Sequence, residues 1–289
     1  MSYQSIFRAD LFKDQVIIVT GGGSGIGRCT AHELSACGAS VALVGRKRDK
    51  LDKVADEIVQ QGGTVSVHVC DIREEAQVKE TVAAVFLQHA RIDGLVNNAG
   101  GQFAAPLADI SVRGWDAVIR TNLTGGFLMA RECYSHWMKA HDGAIVNILA
   151  DMWMGMPGMA HSGAARAGML NFTETAALEW APVRSNAVAP GWIASSGMDN
   201  YPPDMTSMIK QIHKLVPLHR LGTESEVSAA IVFLLSPAAA FISGACLRID
   251  GAAPNAKRIW PQVGTGHSNE EFNGFHLAEL PNVLKPASS

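Results

Sequence analysis

The sequence predicts a doubly wound α/β fold, in which helices cover both faces of one parallel β-sheet. Short runs that are apolar along their whole length alternate with longer amphipathic segments, as expected for strands buried on both faces and joined by helices. The chain has 289 residues, of which 47% are hydrophobic. Because this is enough to build one substantial core, we expect a single domain.

The predicted elements follow one another in a regular order. The first strand covers 16–19 and precedes a helix over 25–37, and the second covers 41–44 and precedes a helix over 51–60. The strand series continues at 65–69, 94–96, 144–148, 183–188 and 247–249. We assign the α/β domain to residues 10–252, with a substrate-loop insertion at about 195–220 and a C-terminal extension over 253–289. Ligands of such folds bind at the carboxyl ends of the strands.

The overall charge and the cysteine pattern exclude several classes of function. The net charge is −3 and the pI is near 6.4, without a long run of like charge, so neither nucleic acid nor a membrane surface is an expected partner. No apolar run reaches transmembrane length, and the N-terminal segment lacks the apolar stretch of a secretory signal. The five cysteines are scattered without metal-ligand spacing, so we expect reduced thiols, no metal site and a cytoplasmic protein.

A glycine-rich turn follows the first predicted strand and leads into a helix. It has the sequence TGGGSGIG over residues 20–27. In such a turn Gly21 can take a tight bend, Gly25 lets the backbone approach a pyrophosphate, and Gly27 lets the helix pack on the strand. The N–H groups of the helix N-terminus then face the phosphates. The residues predicted to bind a dinucleotide here are Gly21, Ser24, Gly25, Ile26 and Gly27.

The end of the second strand indicates which cofactor is bound. An acidic side chain there would bind the ribose 2′-hydroxyl and repel a 2′-phosphate. This chain has the basic run RKR at 46–48 after Gly45, and no carboxylate before Asp49. Because a guanidinium suits a phosphate dianion, we predict NADPH rather than NADH, bound by Arg46 and Lys47. The alternative is a solvated basic start of a helix.

Three motifs together resemble the short-chain dehydrogenase/reductase superfamily. They are the glycine-rich turn, NNAG at 97–100 and PG at 190–191. The likeness covers about residues 10–252 and implies a Rossmann fold. Longer blocks look like the peroxisomal trans-2-enoyl-CoA reductase branch, with the 2,4-dienoyl-CoA reductases nearby. These blocks are NNAGGQF at 97–103, TNLTGGF at 121–127, HSGAARAG at 161–168, ALEWA at 177–181 and SPAAAFISG at 236–244.

The resemblance implies roles for further residues of this chain. Asp71, with Ile72 beside it, matches the position that binds the adenine amino group, and Asn122 matches the family's active-site asparagine. Ser195 is expected to reach the pyrophosphate. The residues that would line the adenosine side of the cleft are Asn98, Ala99 and Gly100, and those that would hold the nicotinamide carboxamide are Pro190, Gly191 and Ile193.

The sequence departs from the superfamily where the proton donor is expected. The Tyr-x-x-x-Lys pair aligns with Ser162 and Arg166, and the second such pair of the enoyl-CoA reductase branch aligns with Leu170 and Glu174. The serine that usually precedes the tyrosine falls near 149–150, where there is no hydroxyl. The chain's tyrosines, none of which is followed by Lys four residues later, are Tyr3, Tyr134 and Tyr201.

These replacements favour reduction of a carbon–carbon double bond. Reduction of a ketone creates an alkoxide that must take a proton as the hydride arrives, whereas hydride addition to an enoyl thioester creates a delocalised enolate that needs hydrogen-bond donors. Ser162 can donate such a bond. Arg166 cannot lose its proton, but it can hold the nicotinamide ribose and place positive charge beside the enolate. His161 could deliver a proton to the α-carbon.

Each of these side chains also has a structural interpretation. His161 can pack or cap a turn, and Ser162 can be the cap of a helix. Arg166 can form an ion pair with Glu174 or with another carboxylate. The sequence leaves these alternatives open.

Two segments carry side chains that could contact a substrate or a partner. Methionines crowd 152–159 and recur at 198–208, which favours an acyl-chain surface as well as ordinary core packing. In the C-terminal extension, Trp260, Phe272 and Phe275 indicate that the tail docks on its own chain or on a neighbour.

Three hypotheses about function follow. The leading one is an NADPH-dependent reductase of the C=C bond of an enoyl-CoA or dienoyl-CoA thioester in fatty-acid metabolism. The second is a short-chain carbonyl reductase or alcohol dehydrogenase with an unusual donor such as His161. The third is an NADP-binding protein that has lost catalysis. The resemblance also implies a homotetramer built through the helices near 105–140 and 162–180.

Overall fold

The computed structural model describes residues 2–201, 203–253 and 267–285 of the chain. Within them lies a seven-stranded sheet in the order 3-2-1-4-5-6-7, and every strand pair is parallel. This confirms the predicted doubly wound α/β architecture. The strands are β1 (Val16–Thr20), β2 (Ser40–Gly45), β3 (Thr64–Val69), β4 (Gly94–Asn97), β5 (Ala144–Ile148), β6 (Arg184–Pro190) and β7 (Cys246–Ile249).

Helices lie on both faces of the sheet. They are α1 (Gly25–Ala36), α2 (Arg48–Gln60), α3 (Glu75–His89), α4 (Val112–Ile119), α5 (Gly125–Cys133), α6 (Lys139–His141), α7 (Ala160–Glu179), α8 (Thr206–Gln211) and α9 (Glu224–Leu235). Two π turns, Arg120–Thr124 and Tyr134–Met138, join α4, α5 and α6 into one continuous helical segment. None of the helices in the described segments has the length and hydropathy that a membrane span requires.

The core consists of two apolar layers, one under each set of helices. Successive side chains of a strand point to opposite faces, so Ile17 packs with Leu34 of α1 in one layer, and Ile18 packs with Val82 of α3 in the other. This explains why β1 is apolar along its whole length. Burial of each such side chain stabilises the fold by about 2 kcal/mol.

The strand order reverses at β1, which pairs with β2 on one side and β4 on the other. Such a reversal opens a crevice at the carboxyl ends of the strands. The hydroxyl of Thr20, the last residue of β1, spans this crevice. It accepts hydrogen bonds from the backbone N–H groups of Asn98 (3.0 Å) and Ala99 (2.9 Å) and donates to the Val96 carbonyl (3.2 Å).

The described part of the C-terminal extension packs on its own chain. Phe275 is 3% exposed and forms a small cluster with Tyr3 and Cys29 of α1. The carbonyl of Phe272 accepts a hydrogen bond from the Thr223 hydroxyl at 2.6 Å. The side chain of Phe275 and the backbone of Phe272 therefore hold the extension against α1 and the start of α9. Trp260 lies outside the described residues.

The substrate-loop insertion contains short helical turns as well as loop. They are Ser196–Asn200, Pro203–Met205, α8 and Ile212–Leu215. The C-terminal extension anchors the first of these turns, because Asp199 accepts hydrogen bonds from the Asn282 side chain (3.3 Å) and from the backbone N–H of Val283 (3.0 Å).

Replacing Phe275 with alanine tests this docking. We expect Phe275→Ala to lower the free energy of unfolding by about 3 kcal/mol, the range for a buried aromatic truncated to alanine, or to release the extension for proteolysis. The matched control is Phe241→Ala, because Phe241 is fully exposed at 105%. Denaturant unfolding and limited proteolysis measure both effects. If the two variants had the same free energy of unfolding and the same resistance to proteolysis, the docked arrangement would be contradicted.

Candidate active site

The glycine-rich turn has the backbone that the sequence predicts. Gly21 and Gly25 have φ angles of +67° and +58°, a region that residues with a Cβ rarely adopt. A Cβ on Gly27 would lie 2.4 Å from the carbonyl oxygen of Gly21, so only glycine fits where α1 passes under the turn. Ser24 precedes α1 without a side-chain cap hydrogen bond, which leaves the helix N-terminus open to a ligand.

Two adjoining cavities open at the carboxyl edge of the sheet, with volumes of about 460 and 530 Å³. They share lining residues, among them Ile26, Asn98 and Gly100, and so form one cleft. The smaller cavity is further lined by Gly21, Ser24, Gly25, Arg46, Lys47, Asp71, Ile72, Ala99 and Ser195. The larger one is further lined by Arg166, Pro190, Gly191, Ile193 and Ser195. The fold thus brings the predicted dinucleotide residues to one cleft, with Gly27 beneath it.

The smaller cavity carries positive charge at the end of β2. Neither Arg46 nor Lys47 forms an ion pair within the described parts of the chain, whereas Arg48 pairs with Asp52 at 3.0 Å. Asp71 already has a partner. Hydrogen bonds from the Arg73 guanidinium hold the pKa of the Asp71 carboxyl below its usual range. Asp71 is therefore paired with Arg73 within the chain, and the charge of Arg46 also lowers the pKa of that carboxyl, but neither Arg46 nor Lys47 is bound by a direct ion pair among the residues described.

Asn122 lines neither cavity, but it holds the backbone that does. It lies buried in the π turn Arg120–Thr124. Its amide nitrogen donates to the Gly101 carbonyl and its amide oxygen accepts from the Gly101 N–H, both at 2.9 Å. A Cβ on Gly100 would lie 3.1 Å from that oxygen. The side chain of Asn122 therefore fixes the 100–101 backbone between the two cavities.

Arg166 places a guanidinium without a carboxylate partner in the larger cavity. One terminal nitrogen donates to the Ile148 carbonyl at the end of β5. Its Nε is buried without a hydrogen-bond partner, and it forms no ion pair with Glu174 or with any other carboxylate of the described residues. Burial lowers the pKa of Arg166 to about 10, so the group is still cationic at neutral pH.

Ser162 and His161 lie directly behind the cavity wall. Both are fully buried, and neither lines the cleft. The Ser162 hydroxyl donates to the side-chain oxygen of Gln102 at 2.7 Å, and the Ser162 N–H donates to Nδ1 of His161 at 2.8 Å. The imidazole packs against the edge of Phe103, with 4.4 Å between the ring centroids. Ser162 therefore reaches the cleft through Gln102.

Two polar residues that the sequence did not single out for the site lie in the larger cavity. The amide nitrogen of Gln102 donates to the hydroxyl of Tyr201 at 3.1 Å, and both residues line the cavity. Gln102 belongs to the NNAGGQF block, which could have indicated its position. Tyr201 lies in the insertion, far from any family spacing for a tyrosine, so no local pattern identified it.

Apolar side chains form part of the remaining wall of the larger cavity. Phe103, Trp192 and the buried side chain of Met198 contribute to it. The other methionines of the sequence pattern do not line it, and Met154 is 91% exposed. Among the described residues no group of three or more His, Cys, Asp or Glu side chains is arranged to hold a metal ion.

The parallel sheet, the glycine-rich turn and the cleft at the strand reversal define a dinucleotide-binding oxidoreductase of the Rossmann class. The chain belongs to the short-chain dehydrogenase/reductase family, whose members use NAD(P)(H). A family model described as "Enoyl-(Acyl carrier protein) reductase" matches residues 21–252. The resemblance of the sequence motifs to this family is thereby confirmed.

Individual relatives carry different activities in their names. The probable 2,4-dienoyl-CoA reductase of Bacillus subtilis is 34% identical, with 82% of this chain and 95% of that protein covered. A 3-oxoacyl-[acyl-carrier-protein] reductase of Synechocystis is 38% identical, over 82% and 96%. Among solved structures, the citronellol catabolism dehydrogenase AtuB of Pseudomonas aeruginosa is 62% identical, with a TM-score of 0.79 over 87% of this chain and 99% of that one.

Replacing Gly27 with alanine tests the turn as a dinucleotide site. The added Cβ meets backbone at 2.4 Å, so the turn must shift away from α1. We expect Gly27→Ala to weaken binding of NADPH and NADH alike, by at least about tenfold for a loss of some 1.4 kcal/mol. Fluorescence titration measures the affinity, and far-UV circular dichroism checks the fold. A folded variant with unchanged affinity for both nucleotides would refute the assignment.

Proposed function

We propose that this protein is an NADPH-dependent reductase of the C=C bond of an enoyl-CoA or dienoyl-CoA thioester. The observation that carries the proposal is the cationic Arg166 guanidinium, which lines the cleft with a free buried Nε and no carboxylate partner among the described residues. A guanidinium in this setting stabilises an anion by charge and hydrogen bonding, but it does not release a proton.

The chemistry of an enoyl thioester fits such a group. When a hydride adds to the β-carbon, the negative charge spreads over the α-carbon and the thioester oxygen, and a fixed donor beside that oxygen lowers the barrier. One oriented donor of this kind contributes about 3–4 kcal/mol. A ketone would instead form an alkoxide that needs an acid, and the position on α7 where the family carries its tyrosine holds Ser162, which does not line the cavity.

The residues present fit a bound dinucleotide. The buried Nε of Arg166 is without a partner, and Gly25 has no side chain between its backbone and the cavity that it lines. Arg46 and Lys47 form no ion pair with a carboxylate of the described segments. In this proposal the turn and Ser195 hold the pyrophosphate, Arg46 and Lys47 hold a 2′-phosphate, and Arg166 holds the nicotinamide ribose. The cofactor supplies the hydride.

The relatives support the substrate class without deciding it. The Bacillus subtilis relative is named as a dienoyl-CoA reductase that produces a (2E)-enoyl-CoA. Relatives named as 3-oxoacyl reductases are as similar in sequence. The apolar wall formed by Phe103, Trp192 and Met198 suits an acyl chain.

A second candidate is a dehydrogenase of an alcohol or carbonyl group on a branched, unsaturated hydrocarbon chain. Two observations favour it. The structure that is 62% identical is titled a citronellol catabolism dehydrogenase, and Tyr201 places a phenol in the larger cavity. Under this second candidate function, the apolar wall would bind a terpenoid chain. The two candidates differ in the bond that is reduced.

Other expectations from the sequence stay predictions. They are the domain boundary near residue 252, a homotetramer built through the helices near 105–140 and 162–180, and a cytoplasmic location. An NADP-binding protein without catalysis would bind the nucleotide and turn over no substrate in the assays below.

The basic run at the end of β2 predicts the choice of nucleotide. We expect Arg46→Glu to weaken NADPH binding by about a hundredfold, because it removes a charge-assisted contact and adds repulsion worth together about 3 kcal/mol, and to leave NADH binding nearly unchanged. Arg48→Glu is the control, since Arg48 already pairs with Asp52 on the exposed face. Calorimetric titration measures the affinities. If both nucleotides lost affinity equally in Arg46→Glu, the NADPH assignment would be wrong.

A substrate panel separates the two candidate functions. We expect faster NADPH oxidation with 2-enoyl-CoA and 2,4-dienoyl-CoA than with 3-oxoacyl-CoA, simple ketones or citronellal. In Arg166→Met, kcat/KM for the enoyl thioester should fall by about 10²–10³ because one oriented donor is lost. Arg166→Lys keeps the charge and should recover part of the rate. Faster turnover of ketones or citronellal would favour the second candidate, and thermal melts of each variant control for misfolding.

A further inference from the structure

A phenol from the insertion lies in the substrate half of the cleft. Tyr201 directly follows the helical turn Ser196–Asn200, and it lines the larger cavity together with Arg166 and Trp192. Its ring centroid is 6.5 Å from that of Trp192. The chain thus places a proton-bearing side chain in the same cavity as Arg166 of α7, the helix on which its family carries the usual donor.

A chain of hydrogen bonds orients the Tyr201 hydroxyl. Ser162 donates to the amide oxygen of Gln102 at 2.7 Å, and the amide nitrogen of Gln102 donates to the Tyr201 oxygen at 3.1 Å. In this arrangement the phenol oxygen of Tyr201 accepts the hydrogen bond from Gln102. Its own proton has no acceptor among the described residues and is available to a ligand in the cavity.

The insertion is held in place from outside the cleft. Asp199 accepts two hydrogen bonds from the C-terminal extension, from Asn282 and Val283. The backbone N–H of Tyr201 donates to the carbonyl of Met198 at 3.3 Å, and Met198 is buried. The turn that precedes the phenol is therefore anchored by the C-terminal extension and by the buried side chain of Met198.

We propose that Tyr201 is the acid that protonates the substrate α-carbon, a role that rests on the function proposed above. The β-carbon gains a hydride from the nicotinamide, and the π electrons of the C=C bond move into a thioester enolate beside Arg166. The α-carbon then forms its new C–H bond with the phenolic proton of Tyr201 as the O–H bond breaks. The phenolate accepts the Gln102 N–H hydrogen bond and regains a proton from water.

The other candidate donors are less suitable for this step. His161 and Ser162 are sealed behind the wall, and Arg166 keeps its proton at neutral pH. Burial raises the pKa of Tyr201, while the hydrogen bond from Gln102 lowers it. Because the pKa is raised overall, the phenol stays protonated at neutral pH. The hydrogen bond from Gln102 stabilises the phenolate that forms on proton transfer.

The test compares Tyr201→Phe with Tyr134→Phe, because Tyr134 stacks on Trp180 away from the cleft. Enoyl-CoA reduction is measured as kcat, and binding of a saturated acyl-CoA to the cofactor-free protein is measured by calorimetry. We expect Tyr201→Phe to lower kcat by about 10²–10⁴, the usual contribution of a general acid, with unchanged acyl-CoA affinity. Tyr134→Phe should change neither quantity.

Two results would overturn the role of Tyr201 and leave the proposed function standing. One is a wild-type rate of enoyl-CoA reduction in Tyr201→Phe. The other is a loss of acyl-CoA affinity without a fall in kcat, since Tyr201 would then be only part of the cavity wall. If the wild-type protein instead fails to reduce any enoyl or dienoyl thioester, the proposed function is wrong and the role of Tyr201 is refuted with it.

Discussion

The hydroxyl of Thr20 is the contact on which the carboxyl edge of the sheet depends. It binds two backbone N–H groups and one carbonyl at the end of β4, across the point where the strand order reverses. The side-chain amide of Asn98 in turn donates a hydrogen bond to the Thr20 carbonyl at 3.0 Å. Each bond contributes about 1 kcal/mol net, and together they fix the distance between the glycine-rich turn and the NNAG segment. The cleft that we propose holds the dinucleotide lies between these two segments.

Arginines without a direct ion-pair partner in the described structure give this cleft its chemical character. Many arginines of the described chain have carboxylate partners, such as Arg28 with Glu57 and Arg220 with Glu226. Arg46 and Arg166, which line the cleft, have no such partner among the described residues. A cation held in a concave site attracts anions more strongly than one in open water. The fold therefore supplies charge for an anionic ligand at both ends of the cleft.

Much of the cavity at the glycine-rich turn could be predicted from the sequence, because its signals are local. The turn at 20–27 needs glycine for its φ angles and for the close passage of α1, and both requirements appear as residue types at fixed spacing. The substrate half was harder to predict. The alignment favoured Ser162 as a donor to the substrate, and it left His161 open between delivering a proton and packing in the fold. The structure places both behind the wall, where Gln102 comes between Ser162 and the cavity.

The sequence by itself determined the doubly wound sheet, the succession of its strands and the position of the glycine-rich turn, since periodicity and glycine spacing are properties of contiguous residues. Only the tertiary structure decided that Tyr201 meets Gln102, across 99 positions of the chain, and that Arg166 lacks a carboxylate among the described residues. Both facts depend on how separate segments pack together. Neither a short motif nor a composition records which distant side chains become neighbours or which charge is left without a partner.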